Sequence, residues 1–138
     1  MNLIAHFKNA RNAVRVPAGH TIFQQGQRGT VMYVLLDGVA EILVGGRSVE
    51  LAQDGALLGE MALVDDEPRS ATVVARTACK LVPIPQAQFD LLARETPEFA
   101  RCVMMSMAER LRRMNQRVPV RLVTVNGVRR QIEERLAA

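Results

Sequence analysis

The chain has 138 residues, of which 49% are hydrophobic and 23% are charged, a balance typical of one soluble globular domain with a sizeable core. No apolar run is long enough to cross a bilayer, and the first residues lack the pattern of a secretory signal, so we expect a cytoplasmic protein with no membrane contact. The net charge of +4 comes from the last part of the chain, since residues 109–138 hold eight arginines and three glutamates. Such a basic segment suits nucleic acid, an acidic partner or merely a solvated helix face.

Cysteine and histidine spacing argues against a metal site. Cys79 and Cys102 are far apart, and neither histidine lies near them in a metal-binding pattern. We expect two buried, reduced thiols, because disulfides are rare in the cytoplasm. The densest acidic group, residues 65–67, lacks the His or Cys partners of a metal or nucleophile site, so the sequence predicts no enzyme.

The chain begins with a predicted short helix over residues 3–13, where apolar side chains recur at helical spacing. Short β-strand patterns separated by glycine-bearing turns then follow from 14 to 84. The nearly all-apolar run 31–36 predicts a strand covered on both faces.

Turns separate the predicted strands. Asp37-Gly38 predicts a tight hairpin, and Gly45-Gly46 predicts a second one. We expect segments 71–76 and 79–84 to form a last strand pair. Seven or so short strands with such turns indicate an antiparallel sandwich or jelly roll.

Two helices close the predicted domain. Pro85 suits a first helical position, which predicts a helix over 86–94. The Thr-Pro-Glu sequence at 96–98 starts a second helix that runs to about residue 116. We therefore divide the chain into a domain of residues 1–116 and a basic tail of residues 117–138. The tail is too short for a three-helix DNA-reading domain, so DNA is not the expected partner.

The segment from Gly59 to Val74 carries the chemistry. It begins with a helical turn at 60–64, whose first backbone N–H groups lack intrahelical partners and suit an anion. Arg69 adds a fixed charge with paired donors that match phosphate oxygens, and Ser70 and Ala71 offer donors beside it. Glu60 only accepts hydrogen bonds when ionised, so it suits a sugar hydroxyl. These groups describe a site for one phosphodiester and one ribose.

Gly59-Glu60-Met61-Ala62-Leu63 followed by Pro68-Arg69-Ser70-Ala71-Thr72-Val73 resembles the phosphate-binding cassette of the cyclic nucleotide-binding domain family. The resemblance extends over roughly residues 14–116. It implies a β jelly roll (a double-stranded β-helix) with a short N-terminal helix, a cassette helix and C-terminal B and C helices.

The resemblance also implies residue roles. Glu60 would accept the ribose 2′-hydroxyl, and Arg69 would pair with the cyclic phosphate. Leu58 stands where a phenylalanine often precedes the Gly-Glu pair, and it keeps an apolar plug. The complete predicted ligand-binding set is Leu58, Gly59, Glu60, Met61, Ala62, Arg69, Ser70 and Ala71.

By the same resemblance, the last helix is the C-helix, which covers the ligand and forms the dimer seam in many members. Its apolar residues lie on more than one side, which suits both packing on the domain and contact with a second copy. As residues that cover the base we predict Leu111, Arg112 or Met114. The methionines could equally be core filler.

The predicted function is therefore a regulatory sensor that binds cAMP or cGMP and passes the signal to a downstream protein effector. We favour cAMP because a Thr after the cassette Arg tends to favour cGMP in the family, and Ser70 can do only part of the same. Two alternatives remain open. One is a protein- or nucleic-acid-interaction module with a vestigial cassette. The other is a regulatory domain excised from a larger effector or channel.

Overall fold

The computed structural model of the protein describes residues 1–117. The chain divides into two compact units, Met1–Ala108 and a second that begins at Glu109, and the sheets lie in the first. The described helices are α1 (Leu3–Phe7), α2 (Glu60–Asp65), α3 (Gln86–Glu95) and α4 (Pro97–Arg117). The described strands are β1 (Val14–Val16), β2 (Thr21–Phe23), β3 (Val31–Asp37), β4 (Ala40–Val44), β5 (Arg47–Ala52), β6 (Leu57–Leu58), β7 (Thr72–Ala75) and β8 (Cys79–Pro85).

The strands form two four-stranded sheets with the orders β1-β8-β3-β6 and β2-β7-β4-β5, and every pair is antiparallel. This arrangement confirms the predicted mainly β fold of jelly-roll type with flanking helices. The Gly45-Gly46 hairpin is also confirmed, because β4 and β5 pair directly across that turn.

Two other predicted strand pairs are wrong. The Asp37-Gly38 turn joins β3 to β4, which belong to different sheets, and β7 and β8 are likewise separated between the sheets. The two crossings pack against each other: a Cβ at Gly38, which has φ +108°, would lie 2.4 Å from the Ala78 carbonyl oxygen. Val39 N–H also donates to the Thr77 hydroxyl across the same corner. Local turn chemistry predicts where a strand ends, but it does not predict which sheet the next strand joins.

The strand β3 is shared by two apolar clusters, as its apolar run predicted. Met32, Val34 and Leu36 join the cluster beneath the helices, while Leu35 joins the cluster between the sheets. Because successive side chains of a strand point to opposite faces, only a continuous apolar run can serve both.

The first helix is shorter than the predicted 3–13, because α1 ends at Phe7. Asn2 caps it by accepting from Ala5 N–H, and Phe7 is buried in the core. Beyond it the chain turns towards β1, and Asn12 donates to the Pro83 carbonyl oxygen. The apolar spacing that predicted a helix up to residue 13 therefore does not form one beyond Phe7, where this hydrogen bond attaches the chain to β8.

The last two helices lie almost where predicted. Pro85 differs, since it is the extended N-cap of α3 and the last residue of β8 instead of a first helical residue. Phe89 of α3 and Phe99 of α4 meet edge to face at 5.9 Å, which closes the core beneath the helices. None of the described helices has both the length and the apolar content needed to span a bilayer.

Candidate functional site

The residue that positions the site is Gly59, the N-cap of α2. Its backbone is left-handed, with φ +79°, a conformation that side-chain-bearing residues rarely adopt. A Cβ here would lie 2.4 Å from Arg69 Nη1 and 3.1 Å from Phe23 Cε2. Glycine is therefore required at this position for two reasons, the left-handed backbone conformation and the close approach of the Arg69 guanidinium.

The Arg69 side chain is folded into the protein and is only 7% exposed. Its Nη1 donates to the Gly59 carbonyl oxygen at 3.0 Å, and its Nη2 donates to the Val31 carbonyl oxygen at 2.5 Å. The guanidinium also lies over the Phe23 ring, 4.1 Å from the ring centre, as a cation–π contact. Three groups therefore hold the charge in one place.

Burial lowers the pKa of Arg69 from its ordinary value, while Tyr33 and Glu60 act in the opposite direction. Arginine remains protonated in proteins, so the site keeps a buried positive charge. A charge with little water around it interacts more strongly with an anion than an exposed one does.

The surroundings of Arg69 include residues that the sequence analysis missed. Phe23 and the Val31 carbonyl come from β2 and β3, far from the cassette in sequence. Gly29 leaves the space that the arginine fills, since a Cβ there would lie 2.3 Å from Arg69 Cζ. Backbone hydrogen bonds also link Arg69 to the preceding turn: Gly26 N–H donates to the Arg69 carbonyl oxygen, and Arg69 N–H donates to the Gln27 carbonyl oxygen. The only available signal was a glycine-bearing turn before β3, which does not reveal its partner.

Glu60 is the first residue of α2 and is fully buried. Its Oε1 accepts from the Ser106 hydroxyl of α4 at 3.4 Å. A buried carboxylate is costly without hydrogen-bond donors, so this contact is part of what holds it. Ser106 was also missed, because a single serine in an apolar helix carries no local signal.

The other predicted ligand residues surround these two charges in different environments. Leu58 and Ala62 are buried in the core, while Met61 is exposed. The Ser70 hydroxyl is exposed and donates to Met61 Sδ at 3.7 Å, and Ala71 is half-buried. The structure brings the predicted set together around α2, and the ligand role of each residue stays a prediction.

The three residues predicted to cover the base belong to the second unit. Leu111 and Met114 are 59% and 61% exposed, and Arg112 is exposed as well. Their role also stays a prediction.

Within residues 1–117, no three His, Cys, Asp or Glu side chains come together as possible metal ligands. Both cysteines are free thiols. Cys79 is buried, as predicted, whereas Cys102 is only half-buried, because α4 turns it partly towards solvent.

Comparison with known proteins agrees with the geometry. The sequence profile of the cyclic nucleotide-binding domain matches residues 13–96, more than half of the chain. A cyclic nucleotide-gated potassium channel of Mesorhizobium japonicum is 36% identical over 108 residues, covering 78% of this chain and 30% of the channel. A cAMP-dependent protein kinase regulatory subunit of Aspergillus niger is 36% identical over 90 residues, 64% of this chain and 22% of the subunit.

Among solved structures, the catabolite activator protein of Thermus thermophilus superimposes with a TM-score of 0.67 at 31% identity. The match covers 75% of this chain and 51% of that protein. The chain thus spans less than a third of the two curated relatives and about half of the solved structure. The matched residues include β1 to β8, α2 and the whole Arg69 site, and the chain belongs to the cyclic nucleotide-binding domain family.

Proposed function

We propose that the protein is a regulatory sensor that binds a cyclic mononucleotide, cAMP in preference to cGMP, and repositions its C-terminal helix in response. In this proposal Arg69 binds the cyclic phosphate, assisted by Ser70, Ala71 and the N–H groups after Gly59. Glu60 binds the ribose 2′-hydroxyl. The role of the protein is regulatory rather than catalytic.

The buried guanidinium of Arg69 is the observation that carries the proposal. Removing an arginine from water costs several kcal/mol, and the carbonyl oxygens of Gly59 and Val31 return only part of this. Arginine has five N–H donors, so these two bonds leave donors for an anion. A phosphodiester beside Gly59 would supply the full negative charge that the carbonyls lack, in a bidentate geometry that suits arginine.

Two further observations support a nucleotide over a simple anion. Arg69 donates to the carbonyl oxygen of Gly59, the residue directly before Glu60, so an acceptor for a sugar hydroxyl follows the phosphate-binding group in the chain. Met61 is exposed next to the Ser70 hydroxyl, and it offers an apolar surface at the same place. We favour cAMP because a threonine at the position of Ser70 tends to favour cGMP in the family, and Ser70 can do only part of the same.

The partners follow from the same proposal. Met104 and Met105 are exposed on α4, and they provide apolar surface for a homodimer through this helix. Leu111, Arg112 or Met114 would cover the base. We expect a cytoplasmic protein that signals to a protein effector.

Calorimetric titration of nucleotide-free protein with cAMP and cGMP tests the proposal. We expect micromolar or tighter binding, with cAMP the stronger ligand. The Arg69→Ala substitution should weaken binding by on the order of 2–5 kcal/mol, because it leaves the phosphate unpaired in a partly desolvated site. Arg69→Lys should weaken it less, since lysine keeps the charge but not the paired donors.

The matched control is Arg47→Ala, which removes an equal charge from an exposed residue of β5. It should bind as the wild type does. Equal binding by the Arg69→Ala protein, with its fold intact by circular dichroism, would show that the phosphate binds elsewhere. Absence of heat with either nucleotide would refute the sensor itself.

A further inference from the structure

We propose that Ser106 of α4 is a specificity-determining residue of the nucleotide site. Its hydroxyl holds, in the ligand-free protein, the position on Glu60 that the ribose 2′-hydroxyl takes when the nucleotide binds. The inference rests on the proposed function, because it assigns Glu60 to the ribose.

Ser106 is half-buried, and its hydroxyl contacts the cassette. Its Oγ lies 3.4 Å from Glu60 Oε1, and Glu60 is fully buried. Val103, one helical turn earlier, is buried in the core, whereas Met104 and Met105 between them are exposed. Residues three apart share a helix face, so Ser106 belongs to the face of α4 that packs on the domain.

The two hydroxyl groups offer Glu60 the same kind of hydrogen bond. Serine and ribose each offer one O–H donor to the same acceptor-only carboxylate. The Ser106 contact is longer than the 2.7–2.8 Å typical of O–H···O bonds, so it is weak and little is lost when it is exchanged. A ribose hydroxyl at optimal distance replaces it with a gain.

The exchange has two consequences. It makes the free state compete with ribonucleotide binding, which lowers the apparent affinity for the ligand. It also releases α4 from α2 when the ribose arrives, which gives the nucleotide a direct effect on the helix. A 2′-deoxy ligand has no hydroxyl for Glu60 and leaves the Ser106 contact in place.

Titration of wild-type and Ser106→Ala protein with cAMP and with 2′-deoxy-cAMP tests the inference. The variant should bind cAMP about twofold to threefold more tightly, the worth of one weak hydrogen bond. Its affinity for 2′-deoxy-cAMP should stay unchanged, so the ratio of the two dissociation constants grows by the same factor. Ser106→Thr, which keeps the hydroxyl, should restore the wild-type ratio.

Cys102→Ala serves as the control, because it also replaces a half-buried residue of α4 by alanine. It should alter neither affinity. A general effect of alanine on the helix would instead change both ligands together in both variants.

Hydrogen exchange of the ligand-free proteins adds a readout that needs no nucleotide. Without the Ser106 contact, amides of α2 and of residues 103–108 should exchange about twofold to threefold faster. Unchanged exchange, or cAMP binding that weakens in Ser106→Ala, would overturn the inference while leaving the sensor proposal intact. Failure of the wild type to bind either cyclic nucleotide would instead overturn the proposed function.

Discussion

The substitution Gly29→Ala isolates the space in which the Arg69 side chain lies. The new Cβ would lie 2.3 Å from both Arg69 Cζ and Nε and 2.8 Å from Cδ, about 1 Å short of van der Waals contact. The left-handed backbone that would penalise alanine at Gly59 is not found at Gly29. The expected cost therefore comes from displacing the guanidinium.

The magnitude follows from the contacts that the displaced guanidinium would lose. A hydrogen bond to a charged group contributes about 1.5–3 kcal/mol, and displacement by about 1 Å breaks one of the two bonds to Gly59 and Val31. Alanine offsets about 0.4–1 kcal/mol by restricting the unfolded chain. We expect a net loss of about 1–2 kcal/mol in the free energy of unfolding.

The sign should reverse when Arg69 is already absent. In an Arg69→Ala background the space is open, and Gly29→Ala should then stabilise the protein by about 0.4–1 kcal/mol. Urea unfolding of the four proteins, followed by circular dichroism, measures this coupling directly. An equal loss in both backgrounds would refute the reasoning, because Gly29 would then be needed for its own backbone and not for Arg69.

Three further predictions follow from the burial of particular side chains. Phe99→Ala should lower the free energy of unfolding by about 3–5 kcal/mol in the same urea assay, because Phe99 is fully buried against Phe89. A smaller loss would mean that the core closes around the cavity left by the missing ring. Burial raises the pKa of the Cys79 thiol, so this thiol ionises at a lower pH in the unfolded chain than in the folded protein. As the pH rises into the alkaline range, the free energy of unfolding should therefore fall more steeply for the wild type than for Cys79→Ala. In the folded protein at neutral pH, iodoacetamide should modify Cys102 well before Cys79 by mass spectrometry, and the reverse order would contradict the burial.

Much of the fold could be predicted because its signals are local. The apolar run of β3, the Gly45-Gly46 hairpin and the Thr-Pro start of α4 each depend on a few neighbouring residues. The assignment of strands to sheets could not be predicted in the same way. It depends on contacts between residues far apart in the sequence, such as Gly38 and Ala78, which are forty residues apart.

The candidate site shows the same difference between local and long-range signals. Arg69 and Glu60 could be predicted from their order and chemistry within one short segment. The groups that hold them, the Phe23 ring, the space at Gly29 and the Ser106 hydroxyl, come from β2, the turn before β3, and α4. Tertiary folding alone brings them to the cassette, so no local pattern distinguishes them from ordinary core or turn residues.

The position of β8 has a consequence for the synthesis of the protein. This strand lies between β1 and β3, so the first sheet has a gap at its centre until the last strand is made. In a ribosome-bound chain that ends before Cys79, the edge of β3 that pairs with β8 therefore has no hydrogen-bonding partner in the sheet. The roll can close only after Pro85 has left the exit tunnel, and such long-range pairing is slow compared with local hairpins. Until then, we expect the unpaired edge of β3 to make the growing chain prone to aggregation.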